Sequence, residues 1–421
     1  MSGPGLTADA SRVLVAQALR ALAYGFGSVL LGVTLDERGF SSTEAGLIIA
    51  AVVAGTVLAS LLIGRYADRV GRRLCYVLLY VLLAGVGVAF AVSSAAWLLI
   101  LFALTGALST EVVESGPFTS LEQSMLATEL SGDARLRGFG TYNAVASAAG
   151  SLGALAAGGL ALLHDWWPGA PSDAWFFLIF VPVALAGAAV AGSLTDSIEV
   201  TPRPQPRSHV RRGLGPSRPV VVRLEGLFAL DSFGGGFVVQ AFIAYWLAQR
   251  FGASLGTVGL VFFALGVLQT GSFLVAPRLA ERFGLLHTMV FTHLPSNLLL
   301  AAIAFAPTLG VAVALLLART VLSQMDVPTR QAYVMALVTP EERTPAAAYT
   351  NTARYLVRPV GPALAGAAQS VALGLPFVIA GSIKSAYDLI LWRWFSHVDV
   401  PDHDHTPAST AGGVAIRKEG Q

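Results

Sequence analysis

Cysteine occurs once, at Cys75, so the sequence excludes an intrachain disulfide and any cysteine-built metal site. Lysine occurs twice, at Lys384 and Lys418, and neither stands in a G-x-x-x-x-G-K-[ST] setting. The chain therefore has no phosphate-binding loop of its own and is not by itself an ATP-driven pump. Charged residues are also scarce, at 12% of 421 residues, which is about half the share usual in soluble domains. The net charge of +2 is spread over loops and leaves no basic patch for nucleic acid. Apolar residues, by contrast, make up 55% of the chain. A soluble fold of this length could not hide that much apolar surface, and the lipid bilayer is the solvent that accepts it.

Twelve apolar runs are long enough to cross a hydrocarbon core as helices, at roughly 20 residues per crossing. The hydropathy pattern predicts them over 12–35, 43–64, 74–93, 96–127, 136–162, 174–195, 224–250, 254–279, 285–306, 308–338, 345–373 and 376–396. The first run is too long for a cleaved signal peptide and lacks a basic leader, so it is expected to remain as a helix. Arginine placement sets the orientation. With both termini cytoplasmic, the inner connections collect Arg65, Arg69, Arg72, Arg73, Arg203, Arg207, Arg211, Arg212 and Arg282, among others. The outer connections hold little beyond Arg38 and Arg250. Trp166, Trp167 and Trp175 flank the connection before the sixth run, where amphipathic rings favour the headgroup level.

Between the second and third runs lies Gly64-Arg65-Tyr66-Ala67-Asp68-Arg69-Val70-Gly71-Arg72-Arg73, expected as a tight cytoplasmic loop. A degenerate copy, Arg278-Leu279-Ala280-Glu281-Arg282-Phe283-Gly284, follows at an offset of 213. Asn143, Gly153 and Gly158 pair with Asn351, Gly361 and Gly366 at an offset of 208, and Pro117 with Pro328 at 211. Three matches at nearly one offset indicate an internal duplication. The expected domains are a six-helix half over 1–195, a cytoplasmic Pro/Arg-rich linker over 196–223, a second half over 224–396, and a disordered cytoplasmic tail over 397–421.

The pattern G-x-x-x-D-R-x-G-R-R resembles the signature loop between helices two and three of the major facilitator superfamily, and the resemblance extends over residues 10 to 396. It implies an all-α membrane protein of twelve transmembrane helices in two pseudo-symmetric six-helix bundles, rocking around a central cavity. It also implies a secondary transporter of bacterial, efflux-like type rather than an enzyme, with no cofactor. In the family the acid of the loop closes a latch against the other half near the start of helix eleven. Gly64, Asp68, Arg69, Gly71, Arg72 and Arg73 take those latch positions here, and Arg278, Glu281, Arg282 and Gly284 repeat them in the second half. Two positions depart from the drug–proton exporters of the family. Their helix-four arginine is Phe102 here, and the Gly-Pro pair falls in span eleven, at Gly361-Pro362, rather than in span five.

Charged side chains at bilayer depth face cavities or pair with one another. By the resemblance, spans one, four, seven and ten line the cavity. Glu111, Glu114, Asp231 and Asp326 are therefore candidates for proton coupling, with Glu111 and Glu114 three apart on a helix near the midplane. Arg20, Gln17, Tyr24, Gln240, Arg319 and Gln324 are candidates for the cavity wall and the substrate. Arg354 and Arg358 are expected to serve structure, and His287 and His293 to be satisfied helix histidines. His403 and His405 with their neighbouring aspartates lie in the tail, where solvation rather than metal binding is expected. The leading expectation is a monomeric carrier of the cytoplasmic (inner) membrane. It would export a small organic solute in exchange for protons by alternating access. The alternative is a proton symporter or facilitator that imports a small anionic metabolite.

Overall fold

The computed structural model describes residues 7–112, 116–129, 132–167, 169–199, 215–338 and 342–397. Among them are nine helical spans long and apolar enough to cross a membrane. They comprise α1 (Ala8–Glu37), α2 (Ser42–Val70), α3 (Arg72–Val92), α6 (Gly132–Trp166) and α7 (Phe180–Gly192, entered through a 3-10 segment at Asp173–Ile179). The others are α8 (Arg218–Gly236) joined to α9 (Gln240–Phe251), α10 (Leu255–Phe283), α11 (Leu285–Ile303) and α16 (Leu375–Phe395). Three further crossings are each made of two shorter helices. These are α4 (Ala96–Ala103) with α5 (Pro117–Glu129), α12 (Leu309–Ser323) with α13 (Asp326–Leu337), and α14 (Arg343–Val357) with α15 (Val360–Val371). Together they give twelve.

The expected fourth span, 96–127, is therefore not one helix. Gly106 and Gly116 sit at φ +73° and +126°, backbone that residues with a Cβ rarely adopt. In the same stretch Thr105 and Ser109 turn their hydroxyls onto nearby backbone, Thr105 Oγ1 to Phe102 O at 2.6 Å and Ser109 Oγ to Glu111 O at 3.1 Å. Such local bonds compete with the helical ladder. Pro117 then opens α5, and its repeat mate Pro328 lies in the first turn of α13. Non-helical backbone at membrane depth is tolerated only where protein or a water-filled cavity surrounds it.

The signature stretch is mostly helical as well. With no breaker before Gly71, α2 runs on through Val70 and α3 begins at Arg72, so the expected loop contracts to one glycine at φ +106°. Gly284 makes the same joint between α10 and α11 at φ +85°. Ser41 caps α2 through a capping box, and Ser254 caps α10. The connection expected over 196–223 is shorter than that. A 3-10 turn covers Asp196–Ile198, residues 200–214 lie outside the described residues, and α8 already starts at Arg218 with a proline in its first turn.

Within each half, the fifth span of the repeat packs along the first: α6 on α1, and α14 with α15 on α8. Gly153 faces Leu22 O and Gly361 faces Gly236, so repeat-related glycines serve the same joint twice. The halves meet where α6 crosses α10, where α2 crosses α15 and where α1 crosses α9. The closest backbone approaches among them lie toward the end of the bundle away from Gly71 and Gly284, while α6 and α10 also meet at mid-length, where Ser147 Oγ and Thr270 Oγ1 are 2.8 Å apart. A Cβ on Gly366 would stand 2.3 Å from Ser42 O, and one on Gly158 would stand 3.2 Å from Gly259 Cα. Tyr245 donates to Phe40 O at 2.9 Å and Ser42 Oγ to Gln249 Oε1 at 3.3 Å across the same seam. Toward the other end a gap of about 150 Å³ separates α2 and α5 from α14. Many leucines on the outer faces, such as Leu58, Leu61, Leu162 and Leu298, are exposed as lipid-facing residues must be.

Candidate functional site

Between the halves lies a cavity of about 260 Å³. Among the described residues, the first half contributes the broken fourth span, through Glu111 and Val112, and one face of α6, through Ser147 to Ala154. The second half supplies the rest, from α8 through α16. Of the residues expected to face a cavity, Glu111, Asp231, Asp326, Gln240, Arg319 and Gln324 do so. Glu114 lies outside the described residues, as do His403 and His405.

The charged wall is built from the broken spans and two intact helices. Asp231 on α8 is buried and accepts from Lys384 Nζ of α16, with Arg330 NH1 of α13 at 3.5 Å and His293 Nε2 of α11 at 3.8 Å. Arg330 reaches Asp326, one turn back on its own helix, at 2.6 Å. His293 Nδ1 lies 2.9 Å from Asp388 Oδ1, and Asn297 Nδ2 donates to Asp388 Oδ2 at 2.8 Å. Four helices thus share one ionic cluster inside a low-dielectric interior, where an unpaired charge is expensive. Lys384 and Asp388 are the sequence's unused signal. They sit four apart in an apolar run and so on one helix face, and His293, expected as a satisfied helix histidine, finds its partner in Asp388 of another helix.

Glu111 crosses to the other half and pairs with Arg358 of the α14–α15 joint. Arg358, expected to serve structure, therefore closes part of the cavity. Arg319 on α12 differs from its neighbours. It lines the cavity, makes no hydrogen bond or ion pair among the described residues, and keeps its Nε buried without an acceptor. Counted over the described wall, Arg319, Arg330, Arg354, Arg358 and Lys384 face Glu111, Asp231 and Asp326. Cations therefore outnumber carboxylates.

Arg20, Gln17 and Tyr24 were expected in the cavity and are not there. Arg20 is fully buried in the first half, bonded through Nε and NH2 to the two carboxylate oxygens of Glu122 at 3.0 and 2.8 Å. Tyr142 and Tyr76 donate to the same carboxylate at 2.6 and 2.8 Å. The Arg20 guanidinium also lies 5.1 Å from the centre of the Tyr24 ring, whose hydroxyl bonds Ala107 O at 2.8 Å. Gln17 donates to Tyr142 O at 2.8 Å. The physical reason is Glu122: a buried guanidinium turns to a buried carboxylate rather than to open space. At the repeat offset of 211 the mate of Arg20 is Asp231, so the two halves carry opposite charges at one position.

Asp68, Arg72 and Arg73 form contacts within their own half. Asp68, in the last turn of α2 with a side chain 60% exposed, accepts from Arg72 Nε at 2.8 Å. The carboxylate at the N-terminus of α3 is Glu199 instead, which accepts from the backbone nitrogens of Arg72 and Arg73 at 2.8 and 3.0 Å. Arg73 NH1 donates to Leu194 O at 3.0 Å. Among the described residues nothing lies within 4 Å of a Cβ placed on Gly64. Arg69 and Arg282 stand in the last turns of α2 and α10, where a cation meets the helix dipole favourably, with Arg278 and Glu281 in the final two turns of α10.

Twelve crossings in two repeat-related halves around a charged cavity define a multi-pass membrane protein of transporter fold. Residues 13–362 match the Major Facilitator Superfamily. An uncharacterized membrane protein of Saccharomyces cerevisiae, YJR124C, is 26% identical over 414 residues, spanning 90% of this chain and 92% of the relative. The crystal structure of the nucleoside transporter NupG superposes with a TM-score of 0.69 at 12% identity, covering 93% of this chain and 98% of that one. The human organic anion transporter MFSD10 superposes with a TM-score of 0.59 at 19% identity, covering 91% and 98%. The chain belongs to the major facilitator superfamily, and it is a membrane transporter rather than an enzyme.

Proposed function

We propose that this transporter carries a small organic anion through the central cavity by alternating access, with Arg319 as the group that holds it. The observation that carries this reading is the guanidinium of Arg319, which lines the cavity with no counter-charge among the described residues while every other described charge nearby is paired or bonded. A lone cation at that depth is costly unless a ligand completes it. An exporter exchanging solute for protons, the leading expectation from the sequence, calls for a cavity carboxylate free to take either. Here Asp231, Asp326 and Glu111 each already hold a cation. The geometry therefore favours the alternative, in which an anionic metabolite is carried. Gln240, Gln269 and Gln324 on the same wall suit hydroxyl or carbonyl groups of the solute, with Gln269 Nε2 donating to Gln324 Oε1 at 3.1 Å. The closest backbone approaches between the halves lie away from Gly71 and Gly284, and a gap separates α2 and α5 from α14 toward those joints, so the cavity opens toward the face that the arginine count assigns to the cytoplasm.

The test is counterflow in liposomes with labelled lactate, succinate, citrate and glycerol 3-phosphate, and with D-xylose and uridine as neutral solutes. Exchange of at least one anion is expected, together with its loss in Arg319→Gln. Exchange confined to the neutral solutes would overturn the proposal.

A further inference from the structure

We infer that His293 is the proton-binding site of this transporter, and that the proton it takes completes the charge balance of the cluster behind the cavity. The cluster has three carboxylates, Asp231, Asp326 and Asp388, and two permanent cations, Arg330 and Lys384. With a neutral imidazole one negative charge is left over in a buried site. A single proton on His293 brings the sum to zero.

The ring geometry fits the charged form. A neutral imidazole has one donor nitrogen and one acceptor nitrogen, whereas the imidazolium has two donors. Both ring nitrogens of His293 face carboxylate oxygens, Nδ1 toward Asp388 at 2.9 Å and Nε2 toward Asp231 at 3.8 Å. Neither carboxylate offers a proton when ionised, so the arrangement is complementary to the doubly protonated ring. Arg319, across the shared cavity, is a further cation, but it makes no bond to this cluster among the described residues. On α16 the facing groups are Lys384, Asp388 and the Tyr387 ring, whose centre lies 5.8 Å away. On α8 the facing group is Asp231, on α13 they are Asp326 and Arg330, and on α12 the charged group of the shared cavity is Arg319. Asn297, one turn along α11, is uncharged; its Nδ2 donates to Asp388 Oδ2 at 2.8 Å and also stands 3.2 Å from His293 Nδ1.

His293 also lines the cavity, so a proton reaches it by the route the solute uses. An anion at Arg319 and a proton at His293 add opposite charges to one low-dielectric space, so each strengthens the hold on the other, and that coupling is reciprocal. The two travel together as a symported pair. The coupling rests on the anion reading of the cavity, but the proton site itself does not.

The experiment separates the two. The full chain, reconstituted on a solid-supported membrane, is given pH jumps with no organic solute present, and the transient charge movement is recorded against pH per folded protein. The wild type should show a transient that His293→Gln abolishes. Asp388→Asn, which neutralises the cluster without a proton, should retain the transient but displace its pH profile to acid by at least tenfold in proton concentration. A merely structural histidine would change the amount of folded protein, not the profile. A wild-type transient in His293→Gln, or an unmoved profile in Asp388→Asn, overturns the proton site. If the pH-jump outcomes hold and no anion exchanges in the counterflow assay, the anion reading is the part that fails.

Discussion

Arg20 and Glu122 form a pair with no solvent exposure on either side chain, held by two bonds of 3.0 and 2.8 Å. Removing one partner leaves the other charge buried without compensation, which costs about 3–5 kcal/mol. Arg20→Met and Glu122→Gln should each destabilise the first half by that amount. Tyr76 and Tyr142 donate to different oxygens of Glu122, so Gln keeps an acceptor for only one of the two hydroxyls, and the loss in that variant includes one hydrogen bond besides the charge. In the double variant no charge remains to be stranded. Its cost should then fall short of the sum of the singles, about 6–10 kcal/mol, by at least ~2 kcal/mol, because residues in direct contact do not add. The assay is reversible unfolding in mixed micelles across a denaturant series, with all four proteins measured in the same detergent. A second readout follows from position. Arg20 does not line the cavity, so the solute specificity of the folded fraction of Arg20→Met should match that of the wild type. Additivity of the two singles to within about 0.5 kcal/mol would refute the coupling, and a changed solute preference would return Arg20 to the transport path.

Three other outcomes are expected. Gly366→Val places side-chain atoms where Ser42 O already stands 2.3 Å from the first carbon, so the α2–α15 seam cannot close as it does here. Thiol labelling of a reporter cysteine at Gln240, in a Cys75→Ser background, should then become possible from the outer face, and an unchanged labelling pattern would contradict the seam. Asp68→Asn loses only an exposed pair with Arg72, worth about 1 kcal/mol or less. It should leave thermal stability unchanged while slowing transport strongly, and wild-type transport rates would reduce Asp68 to a loop counter-charge. Glu111→Gln breaks the ion pair that Glu111 makes across the two halves with Arg358. Both side chains are partly solvated, so the expected change is a shift of a few-fold in the balance between the two open states, read as altered labelling on both faces. Equal labelling of variant and wild type would sink that reading.

The sequence by itself determined a good deal. Twelve crossings, the duplication near an offset of 211 and the class of protein follow from hydropathy period, glycine and proline positions and the acid–base pattern around Asp68, all of which are local in the chain. Local chemistry also located Pro117 and Pro328, although it did not show that they begin new helices after an unwound stretch. That break depends on Gly106 and Gly116 adopting positive φ inside packed protein. What the tertiary structure decided is which charges meet. Arg20 and Glu122 are 102 residues apart, and Asp231 and Lys384 are 153 apart. A single sequence says that a buried charge needs a partner without saying which one. The second half's acids converge on the cavity with His293, whereas the first half's arginine closes on its own glutamate. The physical reason is that pairing energy in a low-dielectric interior depends on distance across helices, and that distance is fixed only when the helices pack.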